Sequence, residues 1–175
     1  MIADIGCGNG KYLDQKETGI IIGSDMSMNL LRICARKGFP GIAADALVLP
    51  YRSNVFDGAI SIAVIHHFAS ESRRIRAIKE MIRIVKPGGR ILVYVWAFEQ
   101  TGRFKDKFPD QDAFIPWSLQ KRFSSTETKS DVLLSRYYHL FKEGELIQIF
   151  KSIPGIEALD SGFDQENWWV IARKH

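Results

Sequence analysis

Nine residues near the start of the chain, Ile2-Ala3-Asp4-Ile5-Gly6-Cys7-Gly8-Asn9-Gly10, limit the fold more than any other stretch. Apolar residues around Asp4 read as a short buried strand, after which glycine falls at every second position. A turn this tight uses positive φ and brings backbone close to a ligand, which glycine permits without strain. Nucleotide-binding dehydrogenases place a third glycine where this chain has Lys11, so their G-x-G-x-x-G loop is excluded. The plainer reading is an ordinary strand-to-helix turn. Either way, a strand, a glycine turn and a helix predicted over 10–16 point to an α/β sheet.

The 175 residues fit one domain with one core. The longest apolar runs, such as 60–65, fall far short of the ~20 residues of a membrane span, so no membrane partner is expected. Cys7 and Cys34 are the only cysteines, and neither sits in a metal-ligand spacing. No metal site is therefore expected. A reducing compartment suits this usage, and with no secretory signal visible the expected location is cytoplasmic, with the nucleus as a second site. Net charge is +4 but uneven: residues 1–70 hold six basic and six acidic side chains, 71–108 hold ten and four, and 109–175 hold eight and ten. A basic middle favours a polyanionic partner, against the plainer reading of a solvated helix face.

Strand signals fall at 2–5, 20–24, 41–45, 57–63 and 90–97, and helix signals at 10–16, 28–37, 71–86 and 142–152. Ile75, Ile78, Met81, Ile82 and Val85 repeat at helical spacing as a core stripe, and Pro87-Gly88-Gly89 ends that helix. Strands at 156–161 and 168–174, joined through 162–167, predict an antiparallel pair. Residues 98–135 read as an insertion or lid within the single domain 1–175, with flexible portions around 124–130.

The Asp-x-Gly-x-Gly-x-Gly pattern, with acids ending the next two strands, resembles the S-adenosylmethionine-dependent methyltransferases of Rossmann-like fold. That class implies a mostly parallel seven-stranded α/β sheet with a C-terminal antiparallel strand and helices on both faces. It also implies one or more helices ahead of the first strand, an expectation that intact mass against the gene product would check. Gly6, Gly8 and Gly10 would face the methionine part of S-adenosylmethionine, while Asp4 would hold the loop amides from behind. Asp25, with Met26, would take the ribose hydroxyls on its two acceptor oxygens. Its plainer reading is a cap before the helix at Ser27. Asp45 and Ala46 would meet the adenine, against a plain turn acid. The segment Phe56–Ala63 would open at Ala63 into the ligand crevice.

Four further segments are more specific: Ile62-Ala-Val-Ile-His-His-Phe68, Lys86-Pro-Gly-Gly-Arg90, Tyr94-Val-Trp-Ala-Phe-Glu-Gln100 and Arg136-Tyr-Tyr-His-Leu-Phe-Lys-Glu-Gly-Glu-Leu146. Together with Asp112-Ala-Phe-Ile-Pro-Trp117 they resemble the eukaryotic tRNA wobble-uridine carboxymethyl methyltransferases, fungal enzymes and the methyltransferase domain of an animal AlkB-type protein. The resemblance covers most of the chain. It implies esterification of 5-carboxymethyluridine, and its 2-thio form, with S-adenosyl-L-homocysteine as the product.

The residues suit that chemistry. A sulfonium donor carries an activated methyl, and a carboxylate acceptor is ionised at neutral pH because carboxyls titrate near ~4. No general base is needed, and catalysis reduces to alignment. Arg136 is the candidate grip on the acceptor carboxylate or a phosphate. His66 and His67 follow the fourth strand where substrate arrives, one of them with a plain structural reading. Tyr138, Tyr137 and His139 would wall the pocket or stack on a base, as would Trp96 and Trp117; core packing is the competing reading for each aromatic. Arg76 and Lys79, with Arg73, Arg74, Arg83, Lys86, Arg103, Lys105 and Lys107, would meet tRNA phosphates.

The resemblance also implies a heterodimer with the small zinc-binding activator subunit shared by several such enzymes. The strand at 41–45 is the expected sheet edge, flanked by Ile33, Phe39, Ile42 and Leu47, where a partner strand would dock. Two other readings stand beside this one: an enzyme of the same fold acting on a small metabolite, and a non-catalytic scaffold. The intact glycines and acids argue against the second.

Overall fold

Strand β1 (Ile2–Ile5) lies inside the sheet, paired in parallel with β2 (Ile21–Asp25) on one side and β4 (Phe56–Ile62) on the other. The computed structural model describes residues 1–14, 19–39, 41–101, 104, 107–118 and 133–175. Beyond β2 lies β3 (Ile42–Ala43), and beyond β4 lies β5 (Val85–Trp96), both parallel to their neighbours. The C-terminal strands β8 (Ile156–Asp164) and β9 (Asn167–Lys174) pair antiparallel, and β9 runs antiparallel along β5. Among the described residues the order is β3-β2-β1-β4-β5-β9-β8. The order reverses between β1 and β4, and the crevice outside the carboxyl ends of these strands is where open α/β sheets bind ligands.

Local chemistry explains the elements. Helix α1 (Met28–Arg36) starts at Ser27, whose hydroxyl accepts the Leu30 amide. Helix α2 (Glu71–Ile84) starts at Ser70 in the same way. Its inner face buries Ile78, Met81 and Ile84 completely, each contributing about 1.5–3 kcal/mol of apolar burial. A one-turn 3-10 helix (Ile65–His67) joins β4 to α2, and a short α3 (Glu145–Lys151) precedes β8. The β8–β9 turn has only two central residues, Gln165 and Glu166, both at positive φ as a primed hairpin turn requires. Neither is glycine. The Glu166 carbonyl accepts the Ala97 amide and its carboxylate the Thr101 amide, contacts that fix this turn against the end of β5.

Four expectations change. Helix α2 ends at Ile84, and Val85 and Pro87-Gly88-Gly89 belong to β5 rather than to the helix and its stop. The helix over 10–16 is absent among the described residues: Gly8–Leu13 run through turns, closed by Gly10 N to Cys7 O. The third strand is two residues long, not five, because the chain turns at Asp45, which bridges Val48. Between 98 and 135, β6 (Asp112–Ser118) pairs antiparallel with β7 (Leu133–His139) as a separate two-stranded ribbon. The Arg-Tyr-Tyr-His segment is therefore a strand. Residues 119–132, including the 124–130 stretch, lie outside the described residues. No described helix is long and apolar enough to cross a membrane.

Candidate active site

The glycine loop fits a ligand that needs close backbone approach. Gly6, Gly8 and Gly10 all have positive φ, at 79, 55 and 79°. A Cβ on Gly6 would lie 2.2 Å from a Val64 methyl, so packing as well as conformation demands glycine there. A Cβ on Gly8 would meet nothing within 4 Å: this part of the loop borders open space. Cys34 Sγ donates to Gly8 O at 3.1 Å and Lys37 Nζ to Asn9 O at 2.7 Å, tying the loop to α1.

Asp25 ends β2 beside this space. One carboxylate oxygen accepts the Gly8 amide at 2.9 Å and the other the Ser27 amide at 2.8 Å. A carboxylate has about four acceptor positions, so capacity remains for two ribose hydroxyls. Met26 follows it, 75% exposed, on the rim. Asp45 Oδ1 accepts the Leu47 amide at 2.9 Å, the turn role, and leaves its other oxygen available beside Ala46. Ala63 sits at φ 61°, a conformation of non-glycine residues that clusters at functional sites.

Asp4 departs from its expected role. The loop amides of Gly6 and Cys7 donate to the Ser24 carbonyl, at 2.7 and 2.9 Å, rather than to Asp4. Asp4 is buried with Oδ2 unpartnered. Burial, then the charge of Asp25, raises its pKa to about 7. A cationic group bound above the loop would favour its ionised form, and both the sulfonium and the amino group of S-adenosylmethionine are of that kind.

An aromatic and imidazole cluster forms at the ends of β4, β5 and β7. Tyr138 stacks on Trp96 at 4.8 Å between ring centroids and meets His66 at 4.9 Å and His67 at 4.5 Å. The two histidines differ. His66 is 1% exposed, and its Nδ1 accepts the Trp96 amide at 3.1 Å, which puts the ring proton on Nε2. Burial, then the charges of His67 and Arg136, holds it well below the usual imidazole range. His67 is half-buried, and its Nδ1 lies 2.9 Å from Tyr137 O, so Nδ1 donates. Burial lowers its pKa too, and the neutral ring presents Nε2 as an acceptor. His66 is thus a buried brace for β5, and His67 is the more open of the two. Arg136 is exposed on β7, and its charge bears on both rings.

The remaining candidates separate. Tyr137 and His139 lie on the opposite face of β7 from Arg136 and Tyr138, bonded to Asp112 and Glu145. The Trp117 side chain, Arg103 and Lys105 lie outside the described residues. Much of the basic stripe is used internally. Arg74 is buried and donates to Phe68 O; Arg83 bonds Glu80, Leu49 O and Tyr51 O; Lys86 pairs with Asp57. Arg76 and Lys79 are exposed on α2, Arg76 donating to Leu47 O at 3.0 Å, and neither joins the aromatic cluster. Leu47 itself is core rather than edge surface. Asp112, Glu145 and Val64 escaped the sequence reading as functional positions. Each acts through a residue distant in sequence, and no spacing rule points to such pairs.

Comparison with known proteins agrees with this fold. The methyltransferase domain profile matches residues 3–93. The tRNA (carboxymethyluridine(34)-5-O)-methyltransferase of Schizosaccharomyces pombe is 41% identical over 98% of this chain and 80% of its own length. The Xenopus tropicalis protein of that name, alkbh8, is 36% identical over 99% of this chain and 35% of its own length. Among solved structures, the PH0226 protein of Pyrococcus horikoshii superposes with TM-score 0.77 at 18% identity, over 99% of this chain and 82% of that one, a likeness of fold. The chain belongs to the methyltransferase-domain family, in the group of the tRNA (carboxymethyluridine(34)-5-O)-methyltransferases.

Proposed function

We propose that this chain transfers a methyl group from S-adenosylmethionine to the carboxylate of 5-carboxymethyluridine at the tRNA wobble position, leaving S-adenosyl-L-homocysteine. The observation that carries the reading is the meeting of Arg136, His67, Tyr138 and Trp96 at the strand ends, beside a glycine loop bordering open space. The relatives' named substrate supplies its identity.

The donor supplies a methyl carbon activated by sulfonium. Transfer forms a bond from carbon to the carboxylate oxygen and returns the electron pair of the broken carbon–sulfur bond to sulfur. No proton moves, which agrees with a site whose histidines are both held neutral. Arg136 orients the carboxylate with one cation, enough to align it without quenching its nucleophilicity. His67 Nε2 accepts from a ring N–H or a ribose hydroxyl. Tyr138 and Trp96 offer a stacking wall for the base. The 2-thio form is accepted on the same terms, because position 2 lies across the ring from the C5 arm. A small metabolite would leave the exposed arginine and lysine of α2 without a role.

The protein works as a heterodimer with a small zinc-binding activator in the cytoplasm and nucleus. The edge strand β3 supports this: both its residues are exposed, and Ile42 presents an apolar side chain there. Expressed alone the chain is expected to be poorly soluble, and co-expression to rescue it; a stable, active monomer would contradict the partnership.

The deciding experiment supplies methyl-labelled donor and tRNA from cells lacking this activity. Label released from the tRNA as methanol by mild base marks an ester. Base-stable label would move the reaction to nitrogen, carbon or ribose and refute the substrate assignment.

A further inference from the structure

Side chains alternate along a strand, so β7 has two faces with different tasks. Arg136 and Tyr138 face the acceptor site; Tyr137 and His139 face the other way. A two-stranded ribbon is marginal by itself and needs outside packing to hold one position. Part of that hold comes from the second face. His139 is buried with Nδ1 2.8 Å from Asp112 Oδ1, on β6, and Nε2 2.6 Å from Glu145 Oε1, on α3. Both ring nitrogens face carboxylate acceptors, and only the doubly protonated imidazolium donates to both. Tyr137 donates its hydroxyl to the same Asp112 oxygen. The other Glu145 oxygen accepts Gln111 Nε2 at 2.7 Å and the Lys142 amide at 3.1 Å. Arg74, from α2, is the further charge bearing on His139.

We propose that the Asp112–His139–Glu145 chain is a positioning device for methyl transfer: it sets the place of β7, and through it the place of Arg136 against the acceptor carboxylate. The inference rests on the reading of Arg136 given above. Alignment-controlled chemistry makes such a device matter, since a displacement of about 1 Å costs on the order of a hundredfold in rate. Burial alone would lower His139, but hydrogen bonds to Glu145 and Asp112 outweigh it and the net shift is upward. The two carboxylates call for the doubly protonated ring, and the tie loosens as pH rises through the raised pKa, when one carboxylate loses its donor.

The test measures kcat and KM for tRNA, with the activator present, from about pH 6 to about pH 10. Asp112→Asn is expected to lower kcat at least about tenfold while donor affinity stays within about twofold. Its alkaline limb should move to lower pH, because His139 has lost a carboxylate. His139→Gln should abolish that limb. If Asp112→Asn fails to fold, judged by calorimetric donor binding, Glu145→Gln tests the same shift. Active variants with the wild-type pH profile would overturn the proposal, as would a His139 ring found singly protonated at neutral pH by NMR titration. A wild type that places no ester in tRNA refutes the reaction and the inference with it; an active wild type whose variants match it refutes the inference alone.

Discussion

The glycine loop and the β6–β7 ribbon border one crevice but arrive there differently. The loop's form depends on neighbours among the first 64 residues: the Ser24 carbonyl, the Asp25 carboxylate, Cys34 and, packed against Gly6, Val64. The ribbon brings together residues from 66 to 145, and its ties are side-chain bonds between positions far apart, such as Asp112 with His139 and His67 with Tyr137. Backbone conformation builds the donor side; tertiary side-chain pairing builds the acceptor side. Damage to the first should show in donor binding, and damage to the second in turnover.

The largest break in that comparison is expected at Arg136. Arg136→Ala should lower methyl transfer by about a hundredfold or more, as loss of a charge-orienting donor does elsewhere, with calorimetric donor affinity unchanged. Lost donor affinity would show that the two sides are not separable.

Gly6→Ala should abolish donor binding, because its Cβ would fall 2.2 Å from Val64. Val64→Ala in the same chain should restore part of the binding by opening space. Gly8→Ala meets no atom and should cost only the positive-φ strain, roughly 1–2 kcal/mol, read as about tenfold in affinity. Equal losses at both glycines would overturn the assignment of Gly6 to packing.

Asp4 gives a smaller, pH-dependent effect. Its folded pKa, about 7, lies above the unfolded value near ~3.9. The folded state keeps a proton that the unfolded chain releases, so stability falls as pH rises between these values. Asp4→Asn cannot ionise and should melt several degrees above wild type at alkaline pH, while binding the donor more weakly. A melting temperature unchanged across pH would mean that Asp4 does not carry this burden.

The smallest effect belongs to α2. Arg76→Gln with Lys79→Gln should weaken tRNA binding and reduce the slope of log affinity against log salt by up to about 2, with kcat near wild type. An unchanged slope would remove both residues from the tRNA surface.

Much of the donor side was legible in the chain. Asp-x-Gly-x-Gly-x-Gly and the acids at Asp25 and Asp45 are read from consecutive residues, because glycine's φ freedom and a strand's final carboxylate are local properties. The core stripe of α2 was legible for the same reason, as were the sheet edge at Ile42–Ala43 and the antiparallel close. The ribbon was not. Its strands alternate weakly and pair across fourteen intervening positions from 118 to 133, so periodicity offered only an irregular segment.

Burial and pairing separated residues that composition treats alike. His66 and His67 are adjacent and identical in type. One is sealed against the Trp96 amide, while the other remains reachable beside Tyr138. Arg76 and Arg74 sit on one helix; the first faces solvent and the second is locked beneath Phe68. By itself the sequence determined the sheet, the family and the donor loop, since hydrophobic period, turn chemistry and short motifs act over a few residues. Which histidine is sealed and which is open, which basic residues are spent on internal bonds and what packs against β7 were decided by the tertiary structure, because each depends on the atoms that close around a side chain.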